Sequence, residues 1–207
     1  MASTTTHLRD PVKRTTSKAK PARRKGAVLT LVARPRASAK HKSTTPAPAI
    51  AGPIKQQILF NLRRSFAMVH AALRGLSAEA AERPMGKGKW NARETVLHLC
   101  TRDRARLREM EAALRGVSGS WMHLGDQQMS RVNAETLAPL RHLMWSDVIA
   151  LFDSTRQLLL EAIESVPDEP AEVWSEDHAF GWMFHRLPSH DIHHAEVIQQ
   201  WRAAQGV

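Results

Sequence analysis

The stretch Trp90-Asn91-Ala92-Arg93-Glu94-Thr95-Val96-Leu97-His98-Leu99 reads as the opening of an α-helix with a histidine in its second turn. Asn91 is a strong N-cap, because its short side-chain oxygen accepts from the orphan N–H groups of a first turn. Glu94, three residues on, reaches back to the cap N–H and closes a capping box, while Trp90 precedes as a hydrophobic staple. Val96, Leu97, Leu99, Leu107, Met110 and Leu114 continue the helix until Gly116 stops it. His98 acquires meaning from a distant segment, His190-Asp191-Ile192-His193-His194. Residues four apart stack on one helical face, so His190 and His194 aim two imidazoles at one point. Two imidazoles make a weak metal site, and His98 is the best candidate for a third ligand. His193 lies about a hundred degrees of helical rotation from His194 and does not easily share that point.

Three further stretches carry helical periodicity. Pro53 is a good first helical residue, and Ile54, Ile58, Leu59, Leu62, Phe66, Val69, His70 and Leu73 follow it before Gly75. Ser77 to Lys89 reads as a loop with one helical turn. Gly116 to Asn133 is a long crossover, followed by a short helix expected over Glu135 to Leu143. Ser146 or Asp147 then caps a third long helix, with Val148, Leu151, Phe152, Thr155, Leu158, Leu159, Ala162, Ile163 and Val166 inward and Pro167 at its end. Residues 171–188 form an aromatic loop, and Ser189 caps a last helix with Ile192, Val197, Ile198 and Trp201 apolar. No strand-like alternation occurs. The expected fold class is all-α: a four-helix bundle over residues 51–207, with a long crossover between helices 2 and 3.

Charge divides the chain at the same place. Residues 1–50 hold twelve Lys/Arg against one acid, a charge of +11, whereas 51–207 hold eighteen against nineteen, or −1. The tail is rich in Ser, Thr, Pro and Lys and poor in aromatics, so it cannot bury enough apolar surface to order itself and is expected to be disordered. A near-neutral folded part weakens any nucleic-acid role, which needs cations clustered on the folded surface. Arg102, Arg104, Arg106 and Arg108 alternate around a helix and are expected to be solvated. The lone Cys100 excludes an intrachain disulfide and reads as a small buried hydrophobe. No run approaches the length of a membrane span, and a cytoplasmic location is expected.

The order Trp90-x-x-x-Glu94-x-x-x-His98-Leu99 followed by His190-x-x-x-His194 resembles the DinB-like (DinB/YfiT) superfamily over roughly residues 53–205. The resemblance implies a four-helix bundle in which the second helix supplies one histidine and the last an H-x-x-x-H pair. Together these bind a divalent metal, with water commonly completing the coordination. Carried onto this sequence, the metal ligands are His98, His190 and His194, and it stays open whether the crowding His193 replaces one of them. Such a donor set suits Zn(II) first, with Ni(II) or Fe(II) as alternatives. Relatives with this triad include thiol S-transferases and proposed hydrolases. The resemblance therefore implies a thiol or water activated for attack on a small electrophilic substrate, with a low-molecular-weight thiol as partner and a homodimer as a possible assembly. The alternative is a non-catalytic metal-binding or stress-related bundle. Glu94 is a catalytic candidate as proton handler, an acceptor orienting His98, or simply the helix cap. Asp191 reads as favourable placement against the helix dipole rather than as a ligand. His178 and His185 lie near the expected mouth of the site.

Overall fold

The structure, a computed structural model, describes residues 53–207, so the basic segment 1–50 expected to be disordered lies outside the described residues. Among the described residues, seven α-helices follow one another: α1 (Pro53–Leu73), α2 (Ala78–Ala81), α3 (Ala92–Leu114), α4 (Asp126–Leu137), α5 (Trp145–Ser165), α6 (Ala179–His185) and α7 (Leu187–Gln205). No strand occurs among the described residues. The long elements α1, α3, α5 and α7 form the bundle, with α1 packed chiefly on α7 and α3 on α5.

The start of α3 is the expected capping box: the Glu94 N–H donates to the Asn91 side chain at 2.8 Å, and the Asn91 N–H donates to the Glu94 carboxylate at 3.4 Å. Gly116 follows the end of α3 at φ 79°, a left-handed turn that a side chain would strain. Lys55, buried near the start of α1, donates to the carbonyls of Glu164 and Val166 at 2.8 and 2.6 Å. It thereby satisfies orphan acceptors at the end of α5.

Several sequence expectations shift. The short helix of the crossover is α4, over Asp126–Leu137 rather than 135–143, because Pro139 limits the segment after Leu137 to a single 3₁₀ turn. Neither Ser146 nor Asp147 caps α5: the helix begins at Trp145, the flanking residue is Met144, and Asp147 sits in the first turn, where its charge favours the helix dipole. Ser189 likewise lies inside α7, which starts at Leu187 because Pro188 suits a first turn, and its hydroxyl donates to the Arg186 carbonyl. Part of the aromatic loop 171–188 is the short helix α6. Leu158, expected inward, is 57% exposed.

The core is divided along its length. One apolar cluster holds Val69, Ala72, Val96, Leu97, Leu99, Phe152, Ala195 and Ile198. A second holds Ile58, Leu59, Leu62, Met110, Leu159, Ile163, Phe184 and Leu187. Each long helix passes through both, and the order of passage gives the direction of the chain. Helices α1 and α7 run from the second cluster to the first, while α3 and α5 run from the first to the second. The bundle is therefore up-down-down-up. Helices α3 and α5 are parallel, and the chain must travel back along about 34 Å of helix between them, at about 1.5 Å per residue over 23 residues. That return is the 30-residue crossover 115–144, which carries α4.

Between the two clusters lies a polar layer to which every long helix contributes one residue: Ser65, Asp103, Arg156 and Asp191, each fully buried. Arg156 donates to Asp103 through Nε and Nη2 at 2.8 and 3.3 Å, and to Asp191 through Nη1 and Nη2 at 2.7 and 3.2 Å. Ser65 Oγ donates to Asp191 at 2.8 Å. Asp191 is thus not a first-turn acid placed against the helix dipole, because α7 starts four residues upstream, but half of an ion pair inside the core.

Candidate metal centre

The capping box sets the phase of α3 and turns His98 inward, where it is 5% exposed and lies against Trp90, ring centroids 4.9 Å apart. On α7, the stripe Leu187, Asp191, Ala195, Ile198 and Trp201 is buried, which places His190 and His194 beside it and half-buried. The three rings converge. His98 and His190 Nε2 atoms are 3.1 Å apart, and one ring nitrogen from each of His98, His190 and His194 lies within 4.8 Å of the others. Ring centroids are 5.1 Å between His98 and each partner and 4.7 Å between the partners. His193 is exposed and falls outside the group of three, its ring 5.4 Å from that of His194.

Burial first, then the neighbouring His190 and His194, pushes the His98 pKa down to about 2. Burial and His190, with His193, take His194 down to about 3. Both rings are therefore neutral at physiological pH, the state in which a ring nitrogen offers a lone pair to a cation. Against its own desolvation, Asp191 is held well below the usual carboxylate range by Arg156, with the facing side chains of His190 and Ser65 adding to the effect. The Nδ1 atoms of His98 and His190 are buried without hydrogen-bond partners. Three imidazoles with clustered ring nitrogens fit a divalent cation in the tetrahedral class that leaves one position open.

Glu94 is engaged elsewhere. One oxygen accepts the Asn91 N–H, and the other lies 3.3 Å from the Arg141 guanidinium. Beside the histidines is a cavity of about 460 Å³ lined by Met85, Lys89, Trp90, Thr95, His193 and His194, among others. The remaining histidines lie apart from the three. His70 pairs with Asp153 at 2.7 Å, and His178 caps α6 by accepting from the Phe180 N–H. His185 bonds the Trp174 carbonyl at 2.9 Å.

Burial raises the Cys100 thiol to about 12, which makes it the inert hydrophobe expected. Two of the four clustered arginines are not solvated. Arg102 and Arg106 are 7% and 4% exposed, with guanidinium carbons 4.1 and 5.2 Å from the centre of the Trp121 ring. The four do alternate around the helix, but the crossover covers the face that these two occupy. The feature missed from sequence is the ionic layer. Its signal was present: Asp103, Arg156 and Asp191 each stand four residues from a core position, at Leu99, Phe152 and Leu187.

The sequence profile of the DinB superfamily matches residues 61–198. A crystal structure of an uncharacterised protein from Escherichia coli UTI89 superposes with a TM-score of 0.58 at 11% identity, covering 76% of this chain and 97% of that one. That likeness is one of fold. Among curated proteins, none matches the chain. With two thirds of its length inside the family profile and an all-helical bundle beneath it, this chain belongs to the DinB superfamily.

Proposed function

We propose that the chain is a divalent-metal-dependent enzyme that activates a thiol or water at His98, His190 and His194 for attack on a small electrophilic substrate. The observation that carries this reading is the gathering of three ring nitrogens within 4.8 Å beside a cavity of about 460 Å³. The three imidazoles would hold the cation, Zn(II) first among Zn(II), Ni(II) and Fe(II) on donor type. A cation bound there supplies Lewis acidity, which lowers the pKa of water or a thiol toward neutrality.

The protein's own residues do the rest. His98 is fixed from one side by the α3 backbone and from another by Trp90, so its ring does not need to be ordered at the moment of binding. Trp90 and Met85 offer the substrate an apolar wall, and exposed Lys89 adds a cation at the same cavity, which favours substrates carrying an anionic group. Thr95 supplies a hydroxyl, already donating to the Asn91 carbonyl at 2.9 Å, whose oxygen can still accept. Glu94 serves the cap of α3, its Oε2 accepting the Asn91 N–H at 3.4 Å.

Metal analysis of purified protein tests the first half: about one equivalent of divalent metal per chain, lost in His98→Ala. Wild-type protein that stays empty after reloading would remove the proposal. Conjugation assays with low-molecular-weight thiols and a panel of electrophiles then test the second half. Full metal occupancy without turnover of any thiol or hydrolytic substrate would favour the non-catalytic metal-binding bundle.

A further inference from the structure

We propose that Asp191 is the positioning residue of the histidine group: its carboxylate is the acceptor for His190 Nδ1–H, and Arg156 and Ser65 lock it in that role. The proposal rests on the metal-centre reading and assigns it a support that neither family membership nor the three histidines supply. A histidine that ligates through Nε2 carries its proton on Nδ1, and that proton needs an acceptor to fix the tautomer and the ring plane. His190 Nδ1 is buried and has no hydrogen-bond partner. Asp191 Oδ1 lies 3.9 Å from it, and among the described residues no other carboxylate is within ion-pair reach of His190. Closing this gap to hydrogen-bond length requires a ring movement of about 1 Å, within what catalytic contacts undergo on loading.

The carboxylate is unusually well placed to serve. Oδ2 already accepts from Ser65 and Arg156 at 2.8 and 2.7 Å. Oδ1 carries only the longer bond, 3.2 Å from Arg156 Nη2, which leaves it an unused lone pair. Arg156 is clamped in turn by Asp103. Four helices therefore fix the position of one oxygen beside one ligand. A purely structural layer would have no need of that adjacency, and the symmetry of the layer provides the control. Asp103 and Asp191 hold the same guanidinium from two sides, but only Asp191 borders a histidine of the group.

The test compares Asp191→Asn and Asp103→Asn in the full chain, stripped with chelator and titrated with Co(II) and Zn(II) in competition with a chelating dye. Both variants lose stability. Only Asp191→Asn weakens metal affinity, by about 10–100-fold, the range set by loss of the acceptor behind a metal-ligating histidine. Asp103→Asn stays within about twofold of wild type. If either single variant fails to fold, the charge-free layer Asp103→Asn/Arg156→Met/Asp191→Asn answers the question. It removes both carboxylates and the guanidinium between them together, leaves Arg106 against the Trp121 ring, and shows the same loss of affinity. Equal affinities for wild type and Asp191→Asn, or equal losses in the two single variants, overturn the proposal while leaving the metal centre standing. Wild type that binds neither ion removes the metal centre itself.

Discussion

Replacing Arg156 with Met keeps the length of an unbranched stem and deletes one guanidinium from the centre of the bundle. The side chain is fully buried and makes hydrogen bonds of 2.8 and 3.3 Å to Asp103 and of 2.7 and 3.2 Å to Asp191. Its loss leaves two buried carboxylates facing each other, with only Arg106, 4.0 Å from Asp103, as a nearby cation. Breaking one side of a buried ion pair costs about 3–5 kcal/mol, against a total stability of about 5–15 kcal/mol for a domain of this kind. The expected fall in Tm is about 6–20 °C, at about 2–4 °C per kcal/mol for a domain of this size. The deficit also depends on pH, with a definite sign. In the variant, desolvation and the like charge raise a folded-state carboxylate pKa above its unfolded value. The associated stability is then present below the unfolded pKa and is lost as pH rises, at no more than about 1.4 kcal/mol per pH unit for one group. Urea unfolding followed by circular dichroism, in chelator at pH 5 and pH 8, reads both quantities. A variant within about 1 kcal/mol of wild type, well short of the cost of an uncompensated buried charge, or a deficit that shrinks toward pH 8, would refute the account of the layer as an ion pair that holds the core.

Other expectations rest on single contacts. Gly181→Ala destabilises by about 1–3 kcal/mol, the range for overpacking, because an added Cβ would meet the Ser175 carbonyl oxygen at 1.9 Å; thermal unfolding checks it. Cys100, fully buried with its thiol raised to about 12, resists iodoacetamide at pH 8 in folded protein and is modified stoichiometrically in 6 M guanidinium, as mass spectrometry would show; rapid labelling of the native state would contradict the burial. In chelator-treated protein, stability falls as pH drops below the unfolded histidine value of 6.5, because unfolded His98 and His194 take protons that the folded rings refuse until about 2 and about 3. Each ring contributes at most about 1.4 kcal/mol per pH unit, and His98→Gln flattens the curve between pH 7.5 and 5. Leu158→Ser, at a position 57% exposed, changes stability by no more than about 0.5 kcal/mol.

Local chemistry made much of this legible in advance. A capping box needs only residues three apart, so the start of α3 and the inward phase of His98 could be read from Asn91 and Glu94. Four-residue spacing on one helix brought His190 and His194 to one point before any fold was known. Where helix ends lacked such a signature the reading slipped. Ser146 and Ser189 have good capping side chains, yet α5 and α7 begin upstream of both, because a preceding Trp145 or the Leu187-Pro188 pair serves the first turn equally well.

The sequence by itself determined four amphipathic helices, the long crossover between the second and third, and three histidines at positions able to meet. Periodicity says which face of a helix turns inward, but not which residue of another helix it will find there. That is why Arg102 and Arg106 looked solvated until α4 and Trp121 covered them, and why Asp191 was read only as a charge suited to the helix dipole. Asp191 is 35 residues from Arg156 and 126 from Ser65, and Arg156 is 53 from Asp103. A buried charge survives only where its partners arrive together, and only the tertiary structure, by setting the four helices side by side, brings these partners into one layer beside His190.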